Sequence, residues 1–373
     1  MNKVLITGIT GLVGSAFAVE SLKRDADLTF VAITRPKGSD NAADRVKEAI
    51  IDQCNFDGTP EIAEDLCKRI DVIEGDVSDP VHLAMSHKLE GIKSVFHCAA
   101  DVNLGVDAEG KTFHVNYNGT KVLLEIAKEL KVESFHYVST AYVAGKTKGK
   151  VMEDSMPATE WHNSYEHSKY ESEKLVRSSG IPFTIYRPSI IVGRSTDGKI
   201  RKPLAFYFIL EFLAVLKERN CAKKHVELSD WLDMPLRMHA KVTDTIFFVP
   251  IDYISNVITH VFPMPAVGKT YHLTGNSPVS TRGIEEAISQ TLKVKNVTLV
   301  DELPNPTMDE KLLHRFLGEF LPYFGSEALF DVSNIVEIFG KESVEWGMVG
   351  EKLVQMVGSY YIDNFPELTD VVV

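Results

Sequence analysis

Thr7-Gly8-Ile9-Thr10-Gly11-Leu12-Val13-Gly14 follows directly on the apolar run Val4-Leu5-Ile6 and leads into a helical run at residues 17–22. Strand, glycine turn and helix therefore come in the order that a dinucleotide site needs. Glycine at 8, 11 and 14 permits a tight turn, close approach of backbone to a pyrophosphate, and close packing of helix on strand. The first helical turn then offers N–H groups and the positive end of the helix dipole to the phosphates. With the intervening Thr10, Leu12 and Val13, these three glycines are the candidate phosphate-binding residues.

Outward from this turn, apolar, β-branched runs at residues 28–34, 71–74, 94–98, 135–139 and 183–186 join the first run, 4–7, as candidate buried parallel strands. Helical patterns at 42–51, 80–89, 112–130 and 166–178 separate them, and 56–69 reads as an extra helix. Alternation of this kind predicts an α/β chain with a doubly wound parallel sheet. The rhythm changes after about Gly193, where shorter elements follow at 246–250, 253–261, 270–274, 281–292 and 297–299. The expectation is a dinucleotide-binding domain over 1–195 and a smaller substrate-binding lobe over 196–373, with some later elements returning to the first domain.

Composition narrows the class. The chain has 373 residues and a formal net charge of -12, which argues against a nucleic-acid binder with a basic face. Cys54, Cys67, Cys98 and Cys221 are widely spaced, as in a reduced, cytoplasmic protein. His97, His167 and His239 have no ligand spacing, so no metal site is expected. No secretory signal is visible, and the apolar stretch 204–216 is interrupted by Glu211 and too short to span a bilayer.

Cofactor preference is read at the end of the second strand, where an acidic residue would bind a ribose 2′-hydroxyl and repel a 2′-phosphate. Here the strand ends Ala32-Ile33-Thr34-Arg35-Pro36-Lys37, without a carboxylate. Arg35 offers a planar fork to a phosphate and a face to adenine, with Lys37 and Arg45 as helpers; the alternative is a solvated loop charge. NADP(H) is preferred on this reading, with NAD(H) second. Asp76 and Val77 suit the adenine, Asp76 accepting from its amino group; capping the helix expected at Pro80 is the other role open to Asp76. Ala99 and Ala100 are small enough to let backbone approach the cofactor, or else pack on the neighbouring helix.

Tyr165 and Lys169 stand four residues apart in Tyr165-Glu166-His167-Ser168-Lys169, hence on one helix face. A tyrosine of normal pKa near 10 is a poor proton donor and acceptor at neutral pH; a neighbouring ammonium stabilises the phenolate and also reaches ribose hydroxyls. Ser139-Thr140 ends the preceding strand at the same edge, and Thr140 can hold a substrate carbonyl for hydride attack.

On these motifs the chain resembles the extended short-chain dehydrogenase/reductases, whose fold is a Rossmann-type doubly wound parallel sheet. It carries their glycine pattern, their tyrosine–lysine motif, and Thr140 where the family has its catalytic Ser or Thr. Asn116-Tyr117-Asn118-Gly119-Thr120 is similar to the family's Asn-x-x-Gly-Thr segment. Tyr186-Arg187-Pro188-Ser189-Ile190-Ile191-Val192-Gly193 resembles the stretch lining the nicotinamide, which implies cofactor contacts for Pro188, Ser189 and Ile191. The resemblance makes Tyr165 the acid–base residue, Lys169 its partner and ribose ligand, and Thr140 the carbonyl-orienting residue. Val249-Pro250-Ile251-Asp252-Tyr253 and Phe330-Asp331-Val332-Ser333 resemble later landmarks.

Within that family, Phe96-His97-Cys98-Ala99-Ala100-Asp101-Val102-Asn103-Leu104 resembles a signature of thioester reductases and fatty acyl-CoA reductases, and Arg187-Pro188-Ser189 agrees with them. The function so implied is NADPH-dependent reduction of an acyl thioester to aldehyde or alcohol. No adenylation or carrier segment is seen, so the thioester is expected as a free CoA ester or on a separate acyl carrier protein. The alternatives are reduction of a ketone, aldehyde or quinone-like molecule, a nucleotide-sugar epimerase or dehydratase, and a non-catalytic NADPH sensor. Lys146, Lys148 and Lys150, with Lys199, Arg201 and Lys202, read as a basic rim for CoA or pantetheine phosphates, or as solvated loops. Residues 204–216 read as an acyl-channel lid, lobe core or subunit contact. Enzymes of the family it resembles often pair two-fold through the helices that correspond to 112–130 and 166–178, which implies a homodimer.

Overall fold

A computed structural model describes residues 2–79, 87–204 and 206–368, with backbone alone at 316 and 317. The helix expected at 80–89 falls mostly outside the described residues. The chain divides into two compact units: Met1–Ser189 with Asp252–Leu273 and Ala328–Ile338, and Ile190–Ile251 with Thr274–Glu327 and Phe339–Val373.

The first unit is built on seven parallel strands: β1 (Asn2–Thr7), β2 (Leu28–Thr34), β3 (Ile70–Glu74), β4 (Ile92–His97), β5 (Ser134–Val138), β6 (Phe183–Pro188) and β7 (Lys269–Leu273), in the order β7-β6-β5-β4-β1-β2-β3. Val4, Leu5, Ile6, Val31, Ala32 and Val95 are buried, as their continuous apolar runs require of strands covered on both faces. Helices α1 (Leu12–Arg24), α2 (Ala42–Phe56), α3 (Gly119–Glu129), α4 (Ser164–Ser178) and α5 (Ile251–Val261) accompany the sheet. One core joins Leu5, Val31, Val95, Phe135, Tyr137 and Ile185 to Leu123 of α3 and Val176 of α4. Another stacks Phe17 of α1 on Phe96 of β4 at 3.8 Å, with Phe262 edge-on to Phe17.

Chain order reverses between β1 and β4, so the crevice for a ligand opens at their carboxyl ends. Register puts Thr7 beside His97, His97 beside Tyr137, and Val138 beside Tyr186, which brings the ends of β1, β4, β5 and β6 into one row.

Three local readings change. Residues 112–130 are helical almost throughout but not regular: the run Lys111–Glu129 is α-helical at Lys111–Phe113, widens into a π-turn at His114–Asn118, and continues as α3 from Gly119. The helix expected at 56–69 splits, because α2 runs to Phe56 and Pro60–Ile62 makes a 3-10 turn before the short helix Ala63–Cys67. The strand expected at 270–274 joins the large sheet beside β6.

In the second unit Ile190–Val192 pairs with Phe248–Pro250 and Leu232–His239 with Val294–Val300, both parallel, while Thr245–Ile246 pairs antiparallel with Val279–Ser280. Its long helix Phe206–Lys224 buries Phe206, Tyr207, Ile209, Leu210, Leu213 and Leu216 against residues such as Phe248 and Tyr360, while Phe208 and Val215 stay about half exposed. Most of the stretch 204–216 is thus core of this unit. Among the described residues no helix is long and apolar enough to cross a membrane.

Candidate active site

The glycine turn is tightly fitted. Gly8 has φ +75°, in the left-handed region, and a Cβ there would lie 2.6 Å from the backbone nitrogen of Ala99. A Cβ on Gly14 would lie 2.1 Å from the Gly8 carbonyl oxygen. The Gly11 amide donates to that same carbonyl at 2.9 Å. Helix α1 starts after Gly11 with no side-chain cap and no acidic residue in its first turn. Helix α2 is different: Asn41 caps it, Asp44 lies in its first turn, and Glu74 accepts from the Ala42 amide at 3.1 Å. Its start is occupied by the protein's own carboxylates, whereas that of α1 carries neither a side-chain cap nor an acidic residue, the arrangement that suits an anion.

Beyond β2, Arg35 and Asp76 form an ion pair at 3.2 Å, and Arg45 donates to the Arg35 carbonyl. Burial alone would raise the Asp76 carboxyl, but hydrogen bonds from the Ser78 amide and hydroxyl, then Arg35, outweigh it and hold Asp76 below the usual carboxylate range. The Arg35 side chain is 61% exposed, so this pair is cheaply exchanged for a stronger anion. Val77 is buried against Gly119, where a Cβ would come within 2.9 Å of its Cγ2.

Under the crevice runs a buried chain of hydroxyls and one imidazole. Thr120 Oγ1 donates to the Asn116 carbonyl at 2.8 Å, so toward His97 Nε2, 3.1 Å away, it accepts. His97 Nδ1 therefore accepts from Thr7 Oγ1 at 2.7 Å, and the Ala99 amide donates to that oxygen at 3.2 Å. Burial, then the nearby Lys169 ammonium, push His97 down to about 3, so it stays neutral. It is a structural link between the ends of β1 and β4, and no group of residues that could hold a metal occurs among the described residues.

Helix α4 brings the catalytic candidates forward. Asn163 caps it by accepting from the Glu166 amide at 3.0 Å, and Glu166, fully buried, accepts from the His162 amide at 2.9 Å. These bonds fix the first turn, which carries Tyr165. Lys169, one turn on, is 1% exposed, with Nζ 2.6 Å from the Val138 carbonyl oxygen and 4.2 Å from the centre of the Tyr137 ring. Burial is the larger influence on the Tyr165 phenol and leaves it above the ordinary value, while Lys169 pulls it down. The expected lowering by the ammonium is present and is outweighed by desolvation. Thr140 caps the turn Ala141–Ala144, accepting from the Tyr142 amide and donating to the Pro188 carbonyl at 3.4 Å. Pro188 ends β6, and the buried Ser189 hydroxyl beyond it has no partner among the described residues. Ile191, grouped with them from the sequence, belongs to the second unit.

Asn116 was legible only as part of a resemblance, yet it organises this edge. Its side chain accepts from the Asp101 amide at 2.8 Å and donates to the Asp101 carbonyl at 3.0 Å and to Ser168 Oγ at 2.9 Å. Ser168 lies between Tyr165 and Lys169 and donates to the Tyr165 carbonyl. The π-turn turns Asn116 toward α4, a local distortion that no apolar periodicity announces. The basic rim is largely neutralised: Lys146 pairs with Glu160, Lys150 with Asp331, and Lys199, in the second unit, with Asp363.

The residues fit a dinucleotide at the carboxyl edge of the sheet, through the α1 terminus without a side-chain cap, the close packing of turn, helix and β4 end that only glycine at 8 and 14 allows, and the buried Ser189 hydroxyl without a partner among the described residues. Known proteins agree. The model of an NAD-binding family described as Male sterility protein matches residues 6–258. A nonribosomal peptide synthetase, asaC of Aspergillus flavus, is 25% identical over 344 residues, 86% of this chain and 31% of the relative. Fatty acyl-CoA reductase 1 of Xenopus laevis is 28% identical over 228 residues, 51% of this chain and 43% of the relative. The chain thus spans less than half the length of either. A solved thiolation-reductase di-domain from an archaeal non-ribosomal peptide synthetase superposes with a TM-score of 0.69, at 20% identity, covering 98% of this chain and 91% of that one. The chain belongs to the Male sterility protein family of NAD-binding, extended short-chain dehydrogenase/reductase-type proteins.

Proposed function

We propose that this chain is an NADPH-dependent reductase of acyl thioesters, supplied as a CoA ester or on a separate carrier protein. The observation that carries the reading is the buried Lys169 one turn from Tyr165, on a helix tied by Asn116 to the edge where the glycine turn ends. The names of the fatty acyl-CoA reductase and the thiolation-reductase di-domain support the substrate class. When bound, NADPH supplies a hydride to the carbonyl carbon. Thr140 holds the carbonyl oxygen, and Tyr165 gives it a proton as negative charge develops. Lys169 stabilises the phenolate left behind and holds the ribose hydroxyls. The resulting hemithioacetal passes its hydroxyl proton to sulfur and breaks its C–S bond to give aldehyde and thiol, and Thr140 and Tyr165 would hold and protonate the aldehyde oxygen in the same way in a further reduction to the alcohol.

The test is NADPH oxidation against a panel of acyl-CoAs, acyl-carrier thioesters, free aldehydes, ketones and a dTDP-sugar. Release of one thiol per aldehyde formed is expected with a thioester. Turnover of the free carbonyls alone, or of the sugar nucleotide alone, would overturn the substrate class.

Arg35, with Arg45 and Lys37 beside it, is our basis for the choice of NADPH. The 2′-phosphate would replace Asp76 as the partner of Arg35, gaining a stronger charge-assisted contact of roughly 1.5–3 kcal/mol. NADPH is therefore expected to bind about tenfold to a hundredfold more tightly than NADH, and Arg35→Ala to erase most of that margin. Fluorescence titrations giving equal affinities in the wild type would refute the assignment.

We also propose a two-fold dimer through 112–130 and α4, where Phe113, Tyr117 and His167, with Trp161 just before α4, form an aromatic row in the first unit. Light scattering at micromolar concentration is expected to give twice the chain mass of 41.6 kDa. A single-chain mass would exclude the dimer.

A further inference from the structure

Below the catalytic pair, α4 carries a third buried group. Glu173 follows Lys169 by one turn, is fully buried, and accepts two hydrogen bonds from Arg187 at the end of β6: Nε to Oε1 at 2.9 Å and Nη2 to Oε2 at 2.7 Å. Arg187 is equally buried and uses every donor of its fork. The others go to the Ser155 carbonyl at 3.1 Å, the Glu153 carbonyl at 3.4 Å and His272 Nε2 at 3.1 Å. Because arginine only donates, His272 Nε2 accepts, and its Nδ1–H donates to the Asp331 carbonyl at 2.7 Å. Burial and Arg187 push His272 down to about 3, so it adds no charge. Arg177, on α4 itself, stands 3.5 Å from Glu173.

Resting on the reading that Tyr165 and Lys169 carry the proton step, we propose that the Glu173–Arg187 pair is a positioning device for that step. It ties the catalytic helix to the end of β6 and supplies the negative charge that Lys169 faces from within the protein. A pair that only anchored the helix would need no charge, since buried ion pairs are often replaced by apolar packing without loss. Placement one turn from a buried ammonium gives the charge a use. Lys169 is faced by His97 and Cys98 at the end of β4, Tyr137 of β5, and Tyr165 and Glu173 of α4. His97 is neutral, and burial raises Cys98 to about 11 and the Tyr137 phenol well above its ordinary range, so neither is ionised near neutral pH. Glu173, held below the usual carboxylate range by Arg187 against its burial, is the one of these groups that is anionic at neutral pH. Burial lowers Lys169, and Tyr165, Cys98 and then Glu173 oppose that fall.

The readout is NADPH affinity measured by fluorescence from pH 6 to 10.5, since loss of the Lys169 proton weakens its hold on the ribose. Wild type is expected to lose affinity above an alkaline midpoint, and Lys169→Ala to lack that limb. Glu173→Gln is expected to move the midpoint down by about one pH unit. The double variant Glu173→Gln/Arg187→Gln, which removes the buried anion together with the guanidinium bonded to it, is expected to move it in the same direction. Glu173→Asp, which keeps the charge, should hold the midpoint near wild type. If Lys169→Ala removes the limb while either glutamine variant keeps the wild-type midpoint, the pair is only an anchor and the proposal falls. A Lys169→Ala protein with an unchanged limb, or a wild type with no NADPH binding, would overturn the reading of Lys169 instead.

Discussion

Tyr165→Phe is expected to lower kcat by about a hundredfold to ten-thousandfold while leaving NADPH affinity close to wild type, because general acid catalysis is worth roughly that much. The ring keeps its place on α4, whose first turn is held by Asn163 and by Glu166 with His162, so only the transferable proton is lost. Lys169→Ala should be worse in kind, reducing turnover and cofactor affinity together. It removes the ammonium that, in the proposed mechanism, serves both phenol and ribose, and leaves the Val138 carbonyl without its 2.6 Å donor. Thr140→Ala, losing one hydrogen bond to the substrate carbonyl, should cost less, about tenfold. Steady-state rates and a fluorescence Kd on the same preparations separate these effects. Should Tyr165→Phe keep more than about a tenth of wild-type turnover, the phenol is not the proton donor, and a binding or sensing role for the site would replace the catalytic one.

The parts legible in the sequence are those whose physics is local. Buried parallel strands announce themselves as β-branched runs, and the glycine turn announces itself because backbone crowding at Gly8 and Gly14 admits no side chain. Tyr165 and Lys169 share a face because four residues span about one helical turn. What escaped was set by distant partners. No periodicity marks the π-turn at His114–Asn118, which exists to bring Asn116 against Asp101 and Ser168. Glu173 reads as an ordinary helix residue, and Arg187 only as part of a resembling stretch, until the fold buries them together. Likewise residues 269–273 sit amid later, shorter elements, and only pairing with β6 makes them the last strand of the large sheet. Arg35 was identified from its position, but its partner Asp76 lies 41 residues on, and two candidate cofactor contacts proved to be each other's neighbours.

The glycine turn also separates close packing from mere flexibility. Gly14→Ala is expected to weaken NADPH binding by at least a hundredfold, about 2.7 kcal/mol, and to lower stability by about 1–3 kcal/mol through overpacking. The added methyl would lie 2.1 Å from the Gly8 carbonyl oxygen and 3.0 Å from the Ile9 Cα, neither of which is a flexible side-chain end that could swing aside. Gly8 cannot yield freely either, since it holds the Gly11 amide through that carbonyl and abuts Ala99. The first turn of α1 must therefore lift from the sheet edge, carrying its N–H groups away from the phosphates. Gly358→Ala, inside the helix Glu351–Asn364, is the matched comparison. Its new methyl would meet only Thr291 Cγ2 at 3.8 Å, an ordinary contact, so alanine's better helix propensity should raise stability by about 0.5–1 kcal/mol. Thermal unfolding of both variants with and without NADPH reads the two effects at once. If Gly14→Ala bound the cofactor as wild type does, close approach of α1 to the strand end would not be what shapes the phosphate site.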